Sequence, residues 1–85
     1  MRLVFSGPFI RQYNKLPAPI RKKIDRQLRH LVKDIRHPGL YAKKMAGASD
    51  IWEARVDYHY RFTFKVVKGR AILRKVGIHD ILRKP

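Results

Sequence analysis

The sequence predicts an α+β fold: an N-terminal strand and a helical hairpin packed on one face of a mainly antiparallel four-stranded sheet, in the order β-α-α-β-β-β. Three observations carry this. Ile20, Ile24, Leu28, Leu31, Val32 and Ile35 recur at three- and four-residue steps and form one apolar stripe, the signature of an amphipathic helix. From Ile51 onward the pattern changes to alternation of apolar and polar residues, as in half-buried strands. Between these regimes, proline and glycine punctuate the chain at Pro17-Ala18-Pro19 and His37-Pro38-Gly39.

Taken in order, residues 2 to 5 hold Leu3, Val4 and Phe5, a short β-favouring run closed by Ser6-Gly7-Pro8. Proline is tolerated in the first turn of a helix, so a helix is expected next, with Phe9, Ile10, Tyr13 and Leu16 on its apolar side. The second helix carries Arg21, Lys22, Lys23, Arg26, Arg29, Lys33 and Arg36 on its polar side, with Asp25 one turn from Arg29. That face suits bulk solvent and a phosphate backbone equally well. Residues 39 to 50 lack a sustained period and read as a loop, with room for a short helix at Tyr41 to Met45. Three strands then follow, Ile51 to Asp57, Tyr60 to Val67 and Arg70 to Ile78. Their links are too short for parallel crossovers, so they form an antiparallel meander.

Eighty-five residues suffice for one domain with a modest core, expected to span residues 1–85. Cysteine is absent, which removes disulfides and thiolate metal sites, and His30, His37 and His59 have no metal-ligand spacing. We therefore expect no metal and no cofactor. No apolar run approaches a membrane span or a secretory signal, so a cytoplasmic location is expected. Charge is the strongest compositional signal, with 21 Lys and Arg against 6 Asp and Glu and a formal net charge of +15. Such a chain repels itself unless a polyanion or an acidic partner neutralises it, and nucleic acid is the first expectation.

Alternation assigns side chains to sheet faces. Phe62, Phe64 and Val66 point toward the helices, while Arg61, Thr63 and Lys65 point away. Leu73, Lys75 and Gly77 are expected on one side of the last strand, with His79 following if the chain stays extended. Trp52 alternates with Glu53 and belongs with the core, whereas Glu53 is free to pair across strands with Arg55 or Lys75. An open sheet face lined by cations is a natural platform for a single RNA strand, with Arg55, Lys65, Arg74, His59 and Arg83 as candidate contacts. Tyr58, His59 and Tyr60 are available for stacking on bases.

Three segments, Ile51-Trp52-Glu53-Ala54-Arg55-Val56-Asp57, Tyr60-Arg61-Phe62-Thr63-Phe64 and Val76-Gly77-Ile78-His79-Asp80, together resemble the RelE/ParE superfamily of toxins from type II toxin-antitoxin modules. The Leu16-Pro17 break and the stretch from His37-Pro38 to Gly47 are similar to RelE-like members. The resemblance implies a ribosome-dependent endoribonuclease that cuts messenger RNA without a metal, by attack of the ribose 2′-hydroxyl on the neighbouring phosphate. It implies that Arg61 stabilises the phosphate, His79 is the general acid, Lys75 makes a second phosphate contact and Glu53 is the candidate base. A cognate acidic antitoxin is the implied partner, over the basic sheet face or the helical hairpin, with the ribosome and messenger RNA as targets. ParE-like members share the fold and poison DNA gyrase without catalysis, and an inactive basic RNA-binding protein is a third reading. RNA-cleaving members often carry Tyr or Phe near the C-terminus, where this chain reads Leu82-Arg83-Lys84-Pro85.

Overall fold

A computed structural model describes residues 1–47 and 50–85. The chain begins with strand β1 (Arg2–Phe5) and turns through Ser6 into helix α1 (Gly7–Asn14). The Ser6 hydroxyl oxygen accepts from the Phe9 amide at 3.2 Å and donates to the Arg74 carbonyl at 2.9 Å. One side chain thus caps the helix and ties it to the neighbouring strand of the sheet.

Helix α2 (Ala18–Lys33) follows the proline break and has no side-chain cap, but the Arg21 guanidinium reaches back to the Leu16 carbonyl at 2.6 Å. The hairpin is stapled by the Tyr13 hydroxyl, which donates to Asp25 at 2.7 Å, so Asp25 is directed at Tyr13 and not along its own helix to Arg29. The helix ends at Lys33, earlier than the His37-Pro38-Gly39 signal. Asp34 is extended and its carboxylate accepts from the Arg36 amide at 2.9 Å, a local turn that competes with another helical turn.

The sheet has five strands, not the expected four. A 3₁₀ turn (Pro38–Leu40) leads to β2 (Lys43–Lys44), which occupies part of the segment where a short helix was expected, Tyr41 to Met45. Two residues paired to the strand at Trp52 and Glu53 suffice to make an edge, and so short a strand leaves no alternation to read. Residues 48 and 49 of the expected loop lie outside the described residues. Strands β3 (Ile51–Arg55), β4 (Tyr60–Val67) and β5 (Arg70–Ile78) form the expected meander, and the sheet order is β1-β5-β4-β3-β2. Among the described strands, only β1 and β5 pair in parallel.

Both helices lie on one face. Phe9, Ile24, Leu28 and Leu31 meet Ala54, Phe62, Phe64, Ala71, Leu73 and Val76 there, all buried. Trp52 packs partly buried against this core, its ring stacked near Phe64. One face assignment needs correction. Thr63 pairs with Lys75 while Phe64 pairs with Leu73, so Arg74 is an extra residue in β5. This bulge shifts the side-chain alternation, and Leu73 faces the core while Lys75 and Gly77 face away, where simple alternation grouped the three.

Candidate functional site

The face of the sheet turned away from the helices is built of rows. Arg55, Arg61 and Gly77 pair across β3, β4 and β5, and the next row is Glu53, Thr63 and Lys75. After Ile78 the chain does not continue extended, as expected for His79, but enters a second 3₁₀ turn (His79–Arg83). That turn folds back over the sheet, so closely that a Cβ at Gly77 would lie 3.0 Å from an Ile81 methyl. The tail is fixed at its far end, where the Pro85 main-chain oxygen accepts from Thr63 Oγ1 at 3.2 Å and Arg74 Nε at 3.1 Å.

The fold-back divides the open face. On one side is a cleft of about 460 Å³ lined by Tyr41, Lys43, Glu53, Arg55, Arg61 and His79. A neighbouring cleft of about 530 Å³ is lined by Tyr58, His59, Arg61, Ile78 and His79. Arg61 and His79 border both. Four of the sequence-selected residues, Glu53, Arg55, Arg61 and His79, therefore meet in one cleft, and His59 joins two of them in the next. Lys75 does not: it lies with Arg83 and Lys84 beside the tail. Arg74 is engaged by Pro85, and Lys65 sits in the row with Ile51 and Ile72, beyond the Glu53 row.

Arg61 is nearly as buried as the core, only 8% exposed. Its Nη1 donates to the carbonyls of Asp57, Tyr58 and Tyr60, holding the turn between β3 and β4. Among the described residues all its hydrogen bonds leave through Nη1, so Nε and Nη2 carry none. The same turn is fixed by Asp57, which accepts from the His59 and Tyr60 amides at 2.9 and 2.8 Å and pairs with Lys23 at 3.2 Å. Burial pushes the Asp57 carboxyl upward, but the Tyr60 amide, Lys23 and the His59 amide together hold it below the usual carboxylate range.

Glu53 is mostly covered and pairs across to Lys43 at 3.5 Å, not to Arg55 or Lys75. Arg55 lies under the Tyr41 ring, its guanidinium carbon 4.2 Å from the ring centroid, within cation-π range. Its Nε is buried with no protein partner among the described residues. Tyr41 and Lys43 were not singled out from the sequence, since they fall in the aperiodic segment. Gln27 was also missed: buried in α2, its amide donates to the carbonyls of Gly39 at 2.9 Å and Arg55 at 2.7 Å. The run Tyr41-Ala42-Lys43-Lys44, an aromatic beside two cations, was the only available signal.

A further hollow of about 290 Å³ lies in the helical layer between Phe5, Phe9, Ile10, Tyr13, Asp25 and Leu28. Its one carboxylate already accepts from Tyr13, so it offers shape without reactive groups. No helix among the described residues is long and apolar enough to cross a membrane.

No protein-family model matches the sequence, and no curated protein is detectably similar to it. Solved structures are similar in shape. A chain of the RelB-RelE antitoxin-toxin complex from Methanococcus jannaschii superposes with a TM-score of 0.77 at 21% identity, over 95% of each chain. The fold is that of RelE-type toxins. The isolated E. coli RelE toxin matches with a TM-score of 0.72 at 20% identity, over 91% of this chain and 82% of that one. The YoeB dimer from Staphylococcus aureus gives 0.78 at 14% identity, over 93% and 97%. The RelE fold thus brings Arg61, at the start of β4, beside His79, at the end of β5, on the face away from the helices.

Proposed function

We propose that this chain is the toxin of a type II toxin-antitoxin module and cleaves messenger RNA on the ribosome in the cytoplasm, without a metal. The observation that carries this reading is the cleft that collects Glu53, Arg61 and His79 on one open sheet face. A carboxylate, a largely buried guanidinium and an imidazole are the group types that metal-free RNA cleavage needs. In that reaction the Glu53 carboxylate takes the 2′-hydroxyl proton and the oxygen bonds to phosphorus. The bond to the 5′-oxygen breaks, and His79 supplies its proton. Arg61, with Nη1 held by the turn, presents its remaining N–H groups to the phosphoryl oxygens. Lys75 and Arg83, beside the tail, reach the strand farther along.

The formal charge of +15 supports both a polyanionic target and an acidic antitoxin as the partner that neutralises it at rest. Product analysis tests the reaction. With intact ribosomes and a chelator present, the message should be cut to leave a 2′,3′-cyclic phosphate and a 5′-hydroxyl. Intact message together with trapped, cleaved DNA-gyrase complexes would replace this mechanism with gyrase poisoning.

A further inference from the structure

Arg61 and His79 are the shared border of two clefts, and each cleft has an exposed tyrosine on its outer side. Tyr41 is 62% exposed in one and Tyr58 is 80% exposed in the other. We propose that Tyr41 and Tyr58 are base platforms, so that the site takes two neighbouring bases of a single RNA strand with the phosphate between them against Arg61 and His79. This deepens the nuclease reading above and rests on it.

Neither ring is merely a loose surface residue. Tyr41 adopts a left-handed backbone conformation at φ 49°, which costs a non-glycine residue free energy and persists only where the surroundings enforce it. One side of its ring lies against the Arg55 guanidinium, which leaves the other to solvent. Gln27 holds both halves of this platform: it binds the Gly39 carbonyl, two residues before Tyr41, and the carbonyl of Arg55 itself. Tyr58 is braced edge-to-face by His59, with ring centroids 5.0 Å apart and planes at 82°. Its turn is locked by Asp57 and Arg61. Ordered aromatic rings lose little further entropy when a base stacks on them.

The order of groups identifies the ligand class. Along the open face runs an aromatic ring, then the Arg61 and His79 pair, then a second aromatic ring, which matches the base-phosphate-base repeat of a single strand. Every base has a π-face, so stacking of this kind tolerates sequence and would confer only modest preferences. A duplex hides those faces, which restricts the site to unpaired RNA.

The test is a binding cycle on a short single-stranded RNA made uncleavable by one 2′-deoxy sugar at the attacking position. Fluorescence anisotropy is read with the intact strand and with strands lacking one base on either side of the target phosphate. Moderate salt suppresses binding through phosphates alone. Tyr41→Leu and Tyr58→Leu should each weaken binding about fivefold to a hundredfold, while Tyr41→Trp and Tyr58→Trp should retain it. Removing one base should have no further effect in one leucine variant, and removing the other base should have none in the second. Thermal melts identify a variant that fails to fold, and the tryptophan variants then carry the comparison. Parental affinity in both leucine variants, equal base-removal effects in all proteins, or no binding by the parent would each overturn the proposal. If both leucine variants still cut message at the parental rate, the platforms fall and the nuclease reading stands. Platform-dependent binding without cleavage would do the reverse.

Discussion

Phe64 and Thr63 are adjacent in β4, equally buried, and face opposite sides of the sheet. Phe64 meets the helical layer with Phe62 and Trp52, where only apolar contact is asked of it. Thr63 lies under the C-terminal tail and donates to the Pro85 main-chain oxygen. One row away, Arg61 is buried with three carbonyls around one nitrogen. The helical face is therefore sealed by packing, and the opposite face by a seven-residue fold-back held through a few polar bonds. A face closed by hydrogen bonds can be lined with charge, because most of its buried polar groups find partners, Arg55 Nε being the exception among the described residues. A face closed by packing cannot.

The contrast is sharpest in substitutions. Phe64→Ala should destabilise the domain by about 3 to 5 kcal/mol, since it removes a fully buried ring and leaves a cavity that the core fills only in part. In a domain of this size that lowers the melting temperature by roughly 12 °C or more, and any loss of activity follows from unfolding. A variant that melts within a few degrees of the parent would mean that the helical layer is not packed on β4 as described.

On the open face the expected loss is in reaction rate. His79→Ala should reduce cleavage by on the order of a hundredfold or more and leave the melt nearly unchanged, because His79 is exposed. Arg61→Ala should lose rate to a similar degree. It should also melt lower, by about 1 to 3 kcal/mol, because it leaves the Asp57 and Tyr58 carbonyls without this donor, while the Tyr60 carbonyl keeps the Val56 and Asp57 amides. Rate assays beside thermal melts separate the two. If His79→Ala cleaves like the parent, the cleft is only an interaction surface.

The order of the major elements and the side of the sheet that meets the helices were legible because each rests on a repeating pattern. Five apolar residues at three- and four-residue steps, Ile20, Ile24, Leu28, Leu31 and Val32, mark α2, and strict alternation marks Phe62 and Phe64. Features that depend on one or two residues were not legible. β2 is two residues long, and the bulge at Arg74 is a single insertion that reverses the assignment of Leu73 relative to Lys75. Arg61 and His79 came from their place in short motifs. Tyr41 and Gln27 act through a left-handed turn and two long-range hydrogen bonds, which leave no period in the sequence. Lys75 was grouped with the site by the resemblance and does face the open side of the sheet, but the fold-back of the tail, which no pattern in the sequence marks, separates it from the cleft.

Thr63→Val tests the polar seal directly. The shape is nearly kept while the bond to Pro85 is lost, so a cost of about 1 kcal/mol is expected. Arg74 Nε still serves the same oxygen, which keeps the effect well below that of Phe64→Ala. Amide exchange should quicken across residues 79–84 while β4 remains protected. Exchange that quickens equally in β4 would show that the two faces open as one unit.

The smallest effect is expected where α2 meets the 3₁₀ turn, and it depends on pH. The rings of His30 and His37 stack with centroids 3.8 Å apart and planes at 13°. Burial against the protein lowers the His30 pKa, and the neighbouring His37, Arg26, Lys33 and Arg29 lower it further. Asp34, the nearby carboxylate, is engaged by Arg36. A histidine with a depressed folded pKa stabilises the fold in its neutral form. That contribution is fully present above the unfolded value of about 6.5 and is lost as pH falls through the folded value. Melting temperature should therefore stay level down to about pH 6.5 and decline slightly as pH falls further toward about 5.5, before most carboxylates titrate. His30→Phe keeps a ring to stack on His37 but cannot take a proton, so its profile should be flatter over that interval. Asp57, held below the usual carboxylate range, stays ionised throughout and contributes no slope there. A His30→Phe profile parallel to the parent's would assign the decline to groups outside this histidine stack.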